Sequence, residues 1–274
     1  MMIDTIVKVV SSLPGLADWR LAEKRRKGAE AFFVREGLDM ARQVEALDYR
    51  LAVYVDGLDG SGARCRGEAS VSLHPSFTVA EIRAAAERAR FAASKSRNPW
   101  YPLPEASPTS GFPPSGFAQR EPAAWLEELR AALYSGEAAG SRINSLELFL
   151  TRVDTRQRNS RGLDAAWQAW KGYIEYTVDA PSAKGPVELT DFISFSEPDL
   201  GFLAGQVRSR LDLVADRARA VATPGDLDLP LILTGKEATE VLGYWFHNLN
   251  ASRVYSKASP LSLGQALHGA EART

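Results

Sequence analysis

Apolar and polar residues alternate in the strand manner across much of residues 17–75. Tyr49, Leu51, Val53 and Val55 share one face of YRLAVYVD, and Ala69, Val71 and Leu73 share one face of GEASVSLH. Period-two patterning with one apolar face predicts half-buried antiparallel strands. Between them, DGLDGSG (Asp56–Gly62) is rich in turn formers and predicts a hairpin turn. The pattern then changes period. Thr78 and Glu81 have capping-box spacing, and Ile82, Ala85, Ala86, Ala89 and Ala93 repeat at helical intervals, which predicts a helix over about 78–95. Ahead of the strands, MMIDTIVKVVSSLPGLADW carries a short apolar patch preceded by Asp4 and no basic segment, and reads as an amphipathic helix rather than a signal peptide.

Residues 98–120 (NPWYPLPEASPTSGFPPSGFAQR) are too rich in Pro, Gly and Ser for a regular interior element. Their Trp100, Tyr101, Phe112 and Phe117 favour a loop that wraps the fold over a free linker. A second strand-and-helix unit spans about 121–225. A helix at 121–135 carries Trp125, Leu126, Leu129 and Leu133 and ends at Gly136. Strands follow with Leu146, Leu148 and Leu150, then Ile174, Tyr176 and Val178, then VELTDFISF at 187–195. A long helix over about 197–221 presents Leu200, Leu203, Val207, Leu211 and Val214 as one stripe. The two units share an order of elements but no repeat at the level of residues.

The last region, 226–274, opens with LPLILT, read as a short buried strand, and continues in a helix over about 236–249 with Thr234 and Glu237 at capping-box spacing. One strand, one helix and a tail cannot bury an apolar face alone. This region therefore docks on the rest or begins a domain that the chain does not complete.

Composition narrows the function classes. With 33 Lys and Arg against 34 Asp and Glu, the net charge is −1, so no global field holds a polyanion and general nucleic-acid binding is not expected. No apolar run reaches transmembrane length. A single cysteine, Cys65, excludes a disulfide scaffold, and the cytoplasm is the expected compartment. Cys65 has Arg64 and Arg66 beside it but no nearby His to activate it, so it reads as a strand thiol. His74 stands at a strand end and His268 in the tail. The glycines of Gly57-x-x-Gly60-x-Gly62 read as turn residues rather than a phosphate loop, and Gly235-Lys236 lacks the rest of a Walker loop. Lys24-Arg25-Arg26-Lys27 is expected at a strand turn, as a solvated charged edge rather than a nucleic-acid patch.

Four segments together resemble the TldD/PmbA family. FTVAEIRAAAERARFAASKS with the Pro-rich stretch after it looks like the close of the family's first segment. LELFLTRVDTRQRNSRG looks like the strand leading to its Asn-Ser-x-Gly turn, here Asn159, Ser160, Arg161 and Gly162. VELTDFISFSEPDL with the long helix looks like the close of its middle segment. LPLILTGKEATEVLGYWFHNLNASRVYSKASPLSLGQAL looks like the opening of its last. The resemblance implies an N-terminal α/β part and a C-terminal β-rich part. It also implies two kinds of member: TldD-type zinc metallopeptidases with a His-Glu-x-x-x-His helix, and PmbA-type (TldE) proteins that lack the motif and pair with a TldD-type subunit around small or unfolded peptides.

The matching helix here reads TGKEATEVLGYWFHN, with Glu237, Glu240 and a single imidazole, His247. Side chains seven residues apart lie about 10 Å apart along a helix axis, too far to share one ion. Glu237, Glu240 and His247 are thus weak metal candidates, and no catalytic residue and no cofactor is assigned; zinc is expected only in a TldD-type partner. Tyr244, Trp245, Phe246 and Tyr255 crowd one short region and are the candidate partner-binding residues, against a role as core filling.

The expectation is an α+β fold of antiparallel sheets with covering helices, followed by the truncated start of a β-rich C-terminal domain. Its segments are 1–97, a linker or wrapping loop at 98–120, 121–225 and 226–274. The expected function is a non-catalytic subunit or partner of a zinc metallopeptidase, with a TldD-type subunit or self-association, and peptides, as partners, and neither nucleic acid nor membrane. The alternatives are a metallopeptidase active only in an assembly and a stand-alone interaction module derived from the family.

Overall fold

The alternation in residues 17–75 becomes three long strands in the computed structural model, which describes residues 2–106, 113–137, 140–223, 225–226, 228–262 and 264. Helix α1 (Met2–Ser11) precedes β1 (Asp18–Val34), β2 (Gly37–Leu58) and β3 (Arg64–Leu73), and α2 (Val79–Ala93) follows. After a short β4 (Asn98–Pro99) come α3 (Leu126–Tyr134), β5 (Arg142–Asn159), β6 (Asp164–Ala180), β7 (Val187–Phe195) and α4 (Leu200–Ala218). The strands form one antiparallel sheet in the order β4-β3-β2-β1-β5-β6-β7. The fold is α+β, with the helices as covering elements. Two chain units, Met1–Ala220 and Val221–Thr274, are each compact; the second holds α5 (Gly235–Asn248) and α6 (Ala251–Tyr255).

The sheet is built twice over. β1 and β5 pair at its centre, and from each the chain runs outward through two more strands and then returns as a helix. A preceding helix packs beside the returning one, α1 on α2 and α3 on α4. Each half has its own core. Ile3, Ile6, Trp19, Leu21, Leu51 and Ile82 belong to the first; Phe33, Trp125, Leu146, Leu148, Ile174 and Val207 belong to the second. Trp19, Leu21, Ala31 and Phe33 are all odd-numbered positions of β1, so one strand feeds both cores from the same face at opposite ends.

The capping box of α2 forms as expected: Thr78 Oγ1 accepts from the Glu81 backbone N–H at 3.3 Å, and the Thr78 N–H donates to the Glu81 carboxylate at 2.8 Å. The helix expected from residue 121 opens instead as a 3₁₀ turn, Pro122–Trp125, before α3. Trp125 Nε1 donates to the Phe117 carbonyl at 3.1 Å, and Phe117 is fully buried, so this end of the Pro-rich stretch does wrap the core. Phe112 and His268 lie outside the described residues.

Three expectations need correction. Lys24-Arg25-Arg26-Lys27 occupies the middle of β1, a central strand, not a turn or an edge. It is tolerated there because Lys24, Arg25 and Arg26 remain exposed to solvent on both faces of the strand. Its charges also find partners: Arg25–Glu45 at 3.6 Å, Arg26–Asp48 at 2.6 Å and Lys27–Glu121 at 4.0 Å. The LPLILT segment is neither a strand nor buried; Leu231 and Ile232 are 79% and 87% exposed. No described strand pairs with it, and an apolar run without a ladder partner has nothing to hold it extended. Thr234 does stand at the N-cap of α5, but its side chain makes no capping bond.

Candidate functional site

The residues singled out for zinc and partner contact sit on α5 and α6. Glu237, Glu240 and His247 are exposed. Two carboxylates and one imidazole, with His247 two turns from Glu240, do not fit a mononuclear zinc centre. Among the described residues no three His, Cys, Asp or Glu side chains gather closely enough to hold a metal ion. Tyr244 and Trp245 meet edge to face at 5.4 Å between ring centroids. Trp245 is half-buried, whereas Tyr244, Phe246 and Tyr255 are exposed, as are Val241, Leu242 and Leu249 of the same helix region. Asn248 holds the helix end, donating to the Tyr244 carbonyl at 2.9 Å, and its own carbonyl accepts from Ser259 Oγ at 2.7 Å.

The densest polar construction lies elsewhere, at the end of the sheet where β1 begins. Asn159 closes the β5–β6 turn: its Oδ1 accepts the N–H groups of Arg161 and Leu163 at 2.8 and 3.0 Å, while Gly162 takes a φ of +87°. The β2–β3 turn repeats this construction with Asp59, whose Oδ1 accepts from Ser61 and Ala63, and Gly62 at φ +80°. The glycines of Gly57-x-x-Gly60-x-Gly62 therefore serve a hairpin. The Asn159 turn presents Ser160 and Arg161 to Asp18 on β1. Ser160 Oγ donates to Asp18 Oδ1 at 2.6 Å, and Arg161 binds both carboxylate oxygens at 2.7 and 3.0 Å.

Arg66, on β3, joins this group from the other side. Its Nη2 donates to Asp18 at 2.8 Å and to Asp56 at 3.0 Å, and its Nε donates to Asp56 at 2.7 Å. The side chain is wholly buried, and its Nη1 has no hydrogen-bond partner. Three rings enclose the guanidinium, with centroids at 5.2 Å for Trp100, 5.5 Å for Tyr54 and 5.8 Å for Tyr101, a cation–π cage. Trp100 Nε1 also donates to Asp56 at 3.0 Å, and Tyr101 Oη to Glu68 at 2.8 Å. Leu103 packs with Ala52 and Tyr54, and Asn159 Nδ2 donates to the Pro104 carbonyl at 2.7 Å. Residues 98–106 thus form a strap fastened across the sheet face opposite the helices.

Charge in the cluster is balanced, and titration follows from that. Burial alone would raise the Asp18 carboxyl; the bonds from Arg161, Ser160 and Arg66 outweigh it and hold the group below the usual carboxylate range. Hydrogen bonding from Arg66 does the same for Asp56, and Arg66 is in turn raised by Asp56 and Asp18 against its own desolvation. Burial pushes the Tyr54 and Tyr101 hydroxyls up. A serine on a carboxylate with no imidazole among these contacts is not a nucleophile with a base. His74 instead shares its Nδ1 with Ser76 Oγ at 2.7 Å. The arrangement clamps three segments together, beside a cavity of about 440 Å³ lined by Leu13, Asp18, Trp19 and Ser160.

Of this cluster, the Asn159–Gly162 turn was visible in the sequence as a motif, and Arg64 and Arg66 only as neighbours of Cys65. Asp18 and Asp56 carried no signal, because their partners lie 143 and 10 residues away. Cys65 is buried, as a strand thiol should be.

The sequence matches no family profile and no curated protein. Solved structures do match. TldE from Thermococcus kodakarensis superposes with a TM-score of 0.66 at 16% identity, over 95% of this chain and 58% of that one. Two proteins described as modulators of DNA gyrase follow at 0.55. The one from Bacteroides thetaiotaomicron is 13% identical and is matched over 93% of this chain and 57% of its own. The one from Thermotoga maritima is 10% identical, over 77% and 47%. The chain spans about half the length of these proteins, and the likeness is one of fold.

Proposed function

We propose that this chain, which has the fold of TldE, is a non-catalytic TldE-like member of the TldD/PmbA family that works in the cytoplasm beside a TldD-type zinc metallopeptidase. Its role there is to shape the access of small or unfolded peptides. The shared fold supports the family, as does the collinear order of the four resembling segments. The observation that carries the non-catalytic reading is the make-up of α5. The helix that would bear the zinc motif offers one imidazole, two turns from the nearer glutamate. In this reading 226–274 begins the C-terminal part, and Tyr244, Phe246 and Tyr255 are covered in the assembly; no helix among the described residues is long and apolar enough to cross a membrane.

Co-expression with a TldD-type protein is the test. Co-purification in a fixed ratio, with zinc and chelator-sensitive peptidase activity only in the joint complex, is the expected result. Stoichiometric zinc and peptide cleavage by the purified chain alone would overturn the reading.

A further inference from the structure

Two turns at the same end of the sheet share one construction and differ in one side-chain atom. In the β2–β3 turn, Asp59 Oδ1 accepts from the N–H groups of Ser61 and Ala63, both at 2.9 Å, with Gly62 at φ +80°. In the β5–β6 turn, Asn159 Oδ1 accepts from Arg161 and Leu163 at 2.8 and 3.0 Å, with Gly162 at φ +87°. Each turn needs only an acceptor oxygen, and a carboxylate supplies it at residue 59. At residue 159 the other side-chain atom has a separate partner: Nδ2 donates to the Pro104 carbonyl at 2.7 Å. A backbone N–H only donates and a carbonyl only accepts, so a side chain that serves both must offer one acceptor and one donor. An amide does so and a carboxylate cannot. Asn159 is 4% exposed, so a lost partner would not be replaced by bulk water.

Pro104 belongs to the strap. The strap's near end is fastened to the first half of the sheet: Asn98 and Pro99 pair with Arg66 and Cys65, Trp100 donates to Asp56, and Tyr101 donates to Glu68. Its middle residue Leu103, 6% exposed, packs on Ala52 and Tyr54. Pro99, Pro102 and Pro104 have no N–H to offer a ladder, so side chains carry most of the fastening. The bond from Asn159 carries it across to the second half. The same turn presents Ser160 and Arg161 to Asp18, the carboxylate that also binds Arg66 beneath the strap.

We propose that Asn159 is a conformational latch between the two halves of the sheet. Its amide oxygen sets the β5–β6 turn, its amide nitrogen fastens the strap, and the strap stays closed over Arg66 only while that turn keeps its shape. The cover of a buried charge in the first half is thereby governed by a turn in the second.

Thiol labelling of the full chain tests this. Leu103→Cys places a reporter under the strap, and Cys65, buried on β3, reports opening of the sheet itself. In that background Asn159→Asp keeps the oxygen that the turn needs and removes the donor. Labelling at position 103 should quicken about tenfold or more, with the Cys65 rate unchanged. Gly162→Ala strains the turn through its positive φ, and the added Cβ would lie at an ordinary 3.6 Å from the Ala106 side chain. It should quicken labelling at position 103 as well. Gly62→Ala puts the same strain into the β2–β3 turn, whose Asp59 does not bond to the strap, and should leave that rate as it was. Circular dichroism checks that each variant is folded. An unchanged rate at position 103 in Asn159→Asp or Gly162→Ala, an equal rise at position 103 and Cys65, or an equal response to Gly62→Ala and Gly162→Ala overturns the proposal.

Discussion

The two halves of the sheet have the same order of strands and helices but close their outer faces differently. In the first, the end where β1 begins is sealed by the strap, and Arg66 is buried between two carboxylates and three rings. The matching end of the second half, where β5 begins, has the ion pair Arg142–Asp179 at 2.9 Å with Arg142 53% exposed. Beside it lies an open cavity of about 790 Å³ lined in part by Glu137, Pro181 and Pro186. The segment leaving α2 is long enough to cross the sheet and carries Trp100, Tyr101 and Leu103 to do it, whereas the second half has no counterpart among the described residues of unit Met1–Ala220. A buried charge cluster is thus affordable only where a cover comes with it.

The sharpest way to break the comparison is Arg66→Met against Arg142→Met. The first strands Asp18 and Asp56 and should cost about 3–5 kcal/mol in urea unfolding; the second removes an ion pair whose arginine is open to solvent and should shift the unfolding curve far less. Equal losses would mean that the strap contributes nothing special. The same cluster governs acid stability. Because the Asp18 and Asp56 carboxyls are held below their ordinary values in the folded protein, their contribution is present above the unfolded carboxylate pKa of about 3.9 and is lost as pH falls through the lower folded values. Unfolding midpoints should drop steeply below about pH 4, and Asp18→Asn should flatten that limb.

Next in size are two glycines. A Cβ on Gly67 would lie 1.8 Å from the Ala93 carbonyl oxygen, which is backbone and cannot move aside. A Cβ on Gly172 would meet the Phe195 ring at 2.2 Å, and a ring can rotate away. Gly67→Ala should therefore cost about 3 kcal/mol or more and Gly172→Ala about 1–2 kcal/mol, measured by the same unfolding curves. Smaller still, Thr78→Ala removes one arm of the α2 capping box and should cost about 1 kcal/mol. At the foot of the scale, Tyr255→Ser, on a side chain 91% exposed, should leave stability within about 0.5 kcal/mol while weakening capture of a TldD-type partner.

Much of the fold was legible because it is local. The α2 capping box, the stripes of α2 and α4, and the alternation at Tyr49–Val53 and Leu146–Leu150 all depend on residues within a few positions of one another, and each appears where the pattern placed it. The run at Lys24–Lys27 misled because four consecutive cations look like an edge, and only the fold shows that Glu45 and Asp48 on β2 and Glu121 before the 3₁₀ turn offset three of them. LPLILT misled in the opposite sense: its composition suits a strand, but strand formation requires a pairing neighbour. The clamp at Asp18 was invisible for a third reason. Its members come from β1, β3 and the Asn159 turn, and none of those segments contains the pattern by itself.

By itself, then, the sequence determined most of the strands and helices before residue 220, the cap of α2 and the two apolar faces, since these follow from periodicity and short-range hydrogen bonding. It also determined that α5 carries one imidazole. Tertiary structure decided that the two strand-helix units share a single sheet joined at β1 and β5 and that a strap closes one end over a buried arginine. Those outcomes rest on contacts between residues far apart in the chain, whose pairing is set by which surfaces are left to bury once the local elements exist.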